Sequence, residues 1–241
     1  MLVIKTFIYV CCILAVADAD LAKQTNTFSA DELIGKTPPK LYGTDFKLQK
    51  EAFIAFNKMQ EAALRDGIKL QVVSSFRSYG HQNAIWERKY LNFTKNGKTS
   101  QEAIAEIIKF STIPGTSRHH WATDIDIVDG TIKAPADDVL QAKYFSDSKI
   151  YGRLKTWLDK YANQFGFYLV YTDDANRKGF EYEPWHYSYA AISKPMLQAY
   201  LKLDLIKILQ ENKLIGSDCF TKEFIKAYKT SHVLGINKEL K

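Results

Sequence analysis

Five histidines occur in the 241-residue chain: His81, His119, His120, His186 and His232. Three of them fall in two compact segments. One runs Pro114-Gly115-Thr116-Ser117-Arg118-His119-His120-Trp121-Ala122-Thr123-Asp124-Ile125-Asp126, the other Glu181-Tyr182-Glu183-Pro184-Trp185-His186-Tyr187. Imidazole and carboxylate are donors of a catalytic zinc site, which takes three protein ligands and leaves a fourth position open to water. A loop histidine, an aspartate on the adjoining strand and a distant histidine would complete such a set. His119 and Asp126 are seven residues apart, and on a straight strand an odd separation sends two side chains to opposite faces. They converge only if the chain turns between them, near His120-Trp121. Glu183 and His186 are three apart with Pro184 between, which argues for a bend rather than a regular central strand. Each residue also has a bland reading. An isolated histidine is more often a satisfied core or surface residue, and that reading is preferred for His81, His120 and His232. Read alone, Glu183 fits a solvated acid and Arg77 a surface ion-pair partner.

Together these residues carry a family resemblance. The chain resembles the D-alanyl-D-alanine carboxypeptidases related to VanY, zinc peptidases with the hedgehog/DD-peptidase fold. The family pattern is Ser-x-His-x-x-Gly-x-Ala-x-Asp followed by Glu-x-x-His; here Ser117, His119 and Asp126 match the first part and Glu183 and His186 the second. An upstream Arg-Ser-Tyr-x-x-Gln is matched by Arg77-Ser78-Tyr79-Gly80-His81-Gln82. The matching region runs from about Phe46 to Tyr189. The resemblance implies that His119, Asp126 and His186 hold one zinc ion, which would lower the pKa of its water toward ~7. It implies that Glu183 takes the proton of that water and passes it to the leaving amine. Arg77 would grip a substrate carboxylate or stabilise charge at the attacked carbonyl. Ser117, Gln82 and Tyr79 would bind the D-Ala end, and Trp185 and Tyr187 would wall the cleft. Two positions depart from the pattern: the family glycine is Ala122 and the family alanine is Asp124. Ala122 is a mild change unless that backbone needs positive φ. Asp124 is either an acceptor behind the ligands or itself the ligand; spacing from His119 favours Asp126.

The elements that must position these residues are legible from periodicity. Asp45–Arg65 has apolar residues at helical spacing and ends at Asp66-Gly67. Leu70–Phe76 reads as a strand, Tyr79–Phe93 as a helix, and Thr99–Phe110 as a helix with Ser100 as the candidate cap. Ala122–Val128 alternates as a strand, with Ile125 and Ile127 on one face and Asp124 and Asp126 on the other. A helix over Lys149–Phe165, a strand over Phe167–Thr172, a partly extended segment over Phe180–Tyr189 and helices over Ile192–Leu214 and Thr221–Tyr228 follow. Interspersed helices and short strands predict an α+β fold with one mixed or antiparallel sheet, and the resemblance implies a small, mostly antiparallel central sheet flanked by helices. Trp121 is expected in the core.

The hydrophobic fraction of 46% and charged fraction of 25% fit a globular domain and exclude collagen, a disulfide miniprotein and a disordered chain. The formal charge of +6 favours an anionic partner such as a wall polymer, but no Lys/Arg block stands out, so nucleic acid is not expected. Met1–Asp20 has one cation, Lys5, then an apolar run from Thr6 to Ala17 and small residues suited to cleavage after Ala17 or Ala19. The run is shorter than the ~20 residues of a membrane span. The expectation is a cleaved signal peptide (1–19) and a secreted, periplasmic or cell-envelope protein, with lipidation at Cys11 or Cys12 as the minor alternative. A leader (20–44), a catalytic domain (45–215) and a C-terminal helical extension (216–241) complete the predicted organisation. After cleavage only Cys219 remains, which excludes an internal disulfide. The expected partner is the peptidoglycan stem peptide, acted on by a monomer. Rival readings are a D-Ala-D-Ala dipeptidase, an L-Ala–D-Glu endopeptidase and a zinc-stabilised binding module without catalysis. A serine hydrolase is disfavoured, because no Gly-x-Ser-x-Gly elbow surrounds Ser117.

Overall fold

The alternating segment at the centre of the sequence becomes the centre of the sheet. The computed structural model describes residues 28–241; the predicted signal peptide and the first part of the leader lie outside the described residues. Four strands, β1 (Leu70–Ser74), β2 (Asp124–Asp129), β3 (Phe167–Leu169) and β4 (His186–Tyr189), form one sheet in the order β1-β2-β4-β3. Every neighbouring pair is antiparallel. Eight α-helices surround it among the described residues: α1 (Ala30–Leu33), α2 (Lys50–Arg65), α3 (Tyr79–Lys95), α4 (Ser100–Ile107), α5 (Gly152–Tyr161), α6 (Ala190–Tyr200), α7 (Leu205–Glu211) and α8 (Lys222–Tyr228). The expected α+β class with a small antiparallel sheet is the one observed.

Two cores divide the apolar residues. Ile125, Ile127 and Tyr187 project from one sheet face and pack with Phe56 and Met59 of α2 and Leu154 and Leu158 of α5. The opposite face of β2 and β4 carries polar residues instead. Register makes this happen: Asp126 pairs with His186 and Asp124 with Ser188, so two successive cross-strand pairs share one face. The second core joins Trp86 of α3 and Ile104 of α4 to Met196 and Leu197 of α6 and Ile225 and Tyr228 of α8. Leu33 and Ile34 belong to it as well, so the described part of the predicted leader is packed against the fold.

Several boundaries shift for local reasons. Helix α2 starts at Lys50, five residues later than predicted, because Tyr42 and Leu48 form an isolated β-bridge just before it. The cap of α4 is Thr99 rather than Ser100: its hydroxyl accepts from the Glu102 N–H while Glu102 accepts the Thr99 N–H. The helix predicted over Ile192–Leu214 is two helices, since Asp204 caps the start of α7 by accepting the Lys207 N–H. The strand predicted to Thr172 ends at Leu169, and the helix predicted to Phe165 ends at Tyr161, with a 3-10 turn running on to Gly166.

Candidate metal centre

The turn required between His119 and Asp126 lies where the parity of the strand demands one. Arg118–Trp121 form a single 3-10 turn, and Ala122 then adopts φ 53°, ψ 36° before β2 begins. That left-handed residue reverses the chain and brings His119 onto the same face as Asp126. The loop is fastened on several sides. The Arg77 N–H donates to the His119 carbonyl at 3.0 Å. The Trp121 indole N–H donates to the Leu33 carbonyl at 3.0 Å, and the Tyr200 hydroxyl donates to the Gly115 carbonyl at 2.9 Å. The Tyr228 hydroxyl accepts the Ile113 N–H and lies 3.0 Å from the Thr116 hydroxyl. His120 is fully buried; its Nδ1 donates to the Arg77 carbonyl at 2.6 Å and its Nε2 accepts the Gly115 N–H. Burial pushes its pKa down to about 4, so it is a neutral structural imidazole. Its ring lies against Gly35, where φ is +78° and a Cβ would collide with the imidazole.

His119, Asp126 and His186 each offer one donor atom, and the three atoms lie within 4.8 Å of one another, all on buried residues. His119 Nε2 is 3.4 Å from Asp126 Oδ2, and His186 Nδ1 is 3.8 Å from Asp126 Oδ1. The far nitrogen of His119, Nδ1, donates to the Ser75 carbonyl at 2.8 Å. Asp126 Oδ1 is buried and has no hydrogen-bond partner. A carboxylate whose two oxygens each face an imidazole nitrogen, one of them without a hydrogen-bond partner, is what a divalent cation would satisfy. Burial pushes the His119 pKa down, keeping the ring neutral as a ligand must be. Burial alone would raise Asp126, but His119, His186 and Arg77 outweigh it and hold the carboxyl below its usual range.

Glu183 stands at the edge of this set, its Oε2 3.1 Å from His186 Nδ1. The bend foreseen at Pro184 is present: the His186 N–H donates to the Glu183 carbonyl, and β4 starts only at His186. Burial, aided by the Asp126 charge, raises the Glu183 pKa; the contacts to His186 and Arg77 offset only part of this. A carboxyl raised in this way is suited to proton transfer near neutral pH.

The donors open into a cleft of about 780 Å³. Arg77, Ser117 and Trp185 line it, together with His119, Asp126, His186 and Glu183. Other expectations are corrected. Gln82 is fully buried: it accepts from Arg77 Nη1 and donates to the Thr112 carbonyl, both at 2.8 Å, so it aims the guanidinium and does not line the cleft. Ser74 accepts from Arg77 Nη2 at 2.8 Å from the other side. Tyr79 also stands behind the cleft, packed on Gly115. Tyr187 is in the core on the opposite sheet face. Sequence reasoning missed Arg118, Tyr171 and Lys89 as cleft residues. Tyr171 was hidden in an apolar strand-like run; no spacing signal marked Arg118 or Lys89.

A small antiparallel sheet bearing a buried His–Asp–His donor set with a second carboxyl beside it defines a metallohydrolase-like α+β protein. The sequence model of VanY, D-alanyl-D-alanine carboxypeptidase, matches residues 45–192, and the chain belongs to this family. It is 31% identical over 133 residues to a D-alanyl-D-alanine carboxypeptidase of Enterococcus faecalis, covering 55% of this chain and 44% of that protein. The chain thus spans about half the length of the curated relatives it matches. Among solved structures it is similar to VanYB in complex with D-alanine-D-alanine, with 25% identity and a TM-score of 0.53, covering 74% of this chain and 92% of that one. A variant of the vancomycin-resistance D,D-pentapeptidase VanY in complex with Zn(II) matches with 24% identity and a TM-score of 0.52, covering 68% and 84%. It supports the fold.

Proposed function

We propose that the protein is a zinc carboxypeptidase that removes the terminal D-Ala from peptidoglycan stem peptides. One observation carries this: two buried imidazoles and the Asp126 carboxylate, one of whose oxygens has no hydrogen-bond partner, bring their donor atoms within 4.8 Å of one another, with the Glu183 carboxyl 3.1 Å from His186 Nδ1. Zinc in a three-ligand site polarises the scissile carbonyl and makes water a better nucleophile near neutral pH. His119, Asp126 and His186 would hold it. Glu183 accepts a proton from the attacking water and delivers it to the leaving amine as the C–N bond breaks, so no covalent enzyme intermediate forms. Arg77, gripped by Gln82 and Ser74, keeps its remaining donors for the substrate carboxylate. The Ser117 hydroxyl and the Trp185 ring position the peptide in the cleft. The D-Ala-D-Ala ligand of the related VanYB supports the substrate class.

The same reading includes export. The apolar run after Lys5 and the small residues at Ala15–Ala19 support a cleaved signal peptide and action at the cell envelope. No helix among the described residues is long and apolar enough to cross a membrane.

The test pairs zinc content with D-alanine release from a stem pentapeptide, with and without chelator, in the parent and in Glu183→Gln. The expected outcome is about one zinc per chain in both proteins and chelator-sensitive release in the parent only. Loss of the proton acceptor should cost about 10²-fold or more in kcat. Zinc binding with no cleavage of pentapeptide, tetrapeptide or wall would instead support a binding module, and full activity in Glu183→Gln would remove that carboxyl from the mechanism.

A further inference from the structure

The buried carboxylate at the position of the family alanine has no free oxygen to give a metal. Asp124 is fully buried. Its Oδ2 accepts from Arg118 Nε at 2.9 Å and lies 2.9 Å from His186 Nε2; its Oδ1 accepts from the Ser188 hydroxyl at 2.6 Å and the Thr123 hydroxyl at 2.8 Å. Four contacts occupy the four lone-pair directions of a carboxylate. Asp126, two residues on and on the same face, has the orphaned oxygen instead. The two alternatives that spacing left open are therefore separated by hydrogen bonding: Asp126 fits a ligand and Asp124 does not.

We propose that Asp124 is a positioning residue for the metal centre: it takes the Nε2–H of His186 and so commits that ring to present Nδ1 to the ion. This rests on the zinc reading given above. An ionised carboxylate only accepts, so the nitrogen facing Asp124 keeps its proton, and in the neutral ring that an ion requires the lone pair lies on the other nitrogen. That other nitrogen, Nδ1, faces Asp126 and Glu183. His119 is arranged with the opposite polarity, its Nδ1–H on the Ser75 carbonyl and its Nε2 toward the site. Each histidine ligand thus has one outward acceptor, a backbone carbonyl in one case and a carboxylate in the other, and such partners fix tautomer and ring orientation.

The network also ties together the three elements that bring the ligands. Arg118 precedes His119 in the 3-10 turn, and its guanidinium lies 4.8 Å from the Trp121 ring centre. It donates to Asp124 on β2 and, through Nη2, to Ser188 on β4 at 2.6 Å. Asp124 and Ser188 are direct cross-strand partners, adjacent in register to the Asp126–His186 pair. A charge this deeply buried persists only when paired and bonded, and Arg118 and the two hydroxyls meet that requirement.

The experiment measures zinc affinity by chelator competition in the parent, Asp124→Asn, Asp124→Ala and Asp126→Ala. It also reads the His186 tautomer in the zinc-loaded parent from nitrogen-15 histidine spectra. Asp124→Ala should bind zinc about 10- to 100-fold more weakly. Asp124→Asn, which keeps one acceptor oxygen, should fall between it and the parent, and Asp126→Ala should bind no stoichiometric zinc. His186 should carry its proton on Nε2. The tautomer is read without substitution, so a variant that fails to fold does not remove the test. Unchanged affinity in both folded Asp124 variants, or coordination of His186 through Nε2, overturns the proposal while leaving the zinc reading intact. A parent that binds no zinc overturns both.

Discussion

At the scale of single residues, the site works by giving each functional group one partner that aims it and leaving one face free. Arg77 is the clearest case after the histidines. Gln82 and Ser74 take two of its donors, and burial together with the Asp126 and Glu183 charges defines its surroundings. A lysine there would keep the charge but lose the planar fork. Arg77→Lys is expected to raise KM for a stem pentapeptide about 10- to 100-fold, the equivalent of one charged hydrogen bond, with zinc content unchanged. Steady-state kinetics beside metal analysis checks this; an unchanged KM would take Arg77 out of substrate recognition. The residue types and spacings of the ligand set, Glu183 and Arg77 were all legible in the sequence. The direction in which each side chain points was not. Tyr187 and Trp185 lie two apart, yet only Trp185 lines the cleft, because it precedes the first residue of β4. Gln82 looked like a substrate contact because a motif records which residues go together, not which of them stands in front.

At the scale of elements, the turn into β2 is the decisive piece. The glycine of the family pattern is here Ala122, in a left-handed conformation that costs an L-residue about 1–2 kcal/mol. The Ala122 methyl is fully buried, which returns roughly 0.8 kcal/mol, and a glycine would lose about 0.5–1 kcal/mol through the unfolded chain. These terms nearly cancel. Ala122→Gly should therefore shift the unfolding free energy by less than about 1 kcal/mol in either direction, whereas Ala122→Val, with a branched Cβ at positive φ, should cost more than about 2 kcal/mol. Denaturant midpoints of the two variants decide it: a valine tolerated as well as glycine would mean that the backbone relaxes out of this conformation. The need for a turn was visible in the odd spacing of His119 and Asp126, and the alternation of β2 gave its two faces correctly. Helix ends were less legible, because Thr99 and Asp204 compete with neighbours of similar capping strength and only the backbone geometry chooses between them.

At the scale of the whole molecule, the family match stops at residue 192, yet residues before and after it complete one of the two cores. The C-terminal part is expected to add an acid sensitivity of its own. His232 stacks on Tyr228, stands perpendicular to the Phe180 ring, and shares its surroundings with the Arg177 cation. Burial, with Arg177 adding to it, pushes its pKa down to about 4 from 6.5. The unfolded chain takes up this proton more readily, so the stability it reflects is complete above pH ~6.5 and is lost as pH falls toward 4. The ring is only partly buried, and solvent screening trims the effect to about 1–2 kcal/mol. Unfolding at pH 7 and pH 4.5 in the parent and in His232→Gln should show that much less pH dependence in the variant; equal slopes would assign the acid sensitivity elsewhere. None of this was legible beforehand, since a helix outside a motif reveals nothing about what it leans on. The hydroxyls of Tyr200 and Tyr228 that fasten the histidine loop come 85 and 112 positions after the residues they hold. On the ribosome the loop emerges long before its anchors. Until Tyr228 has left the ribosome, the loop that carries His119 lacks one of its two hydroxyl anchors, so its geometry is a property of the finished chain and not of the segment that bears the motif.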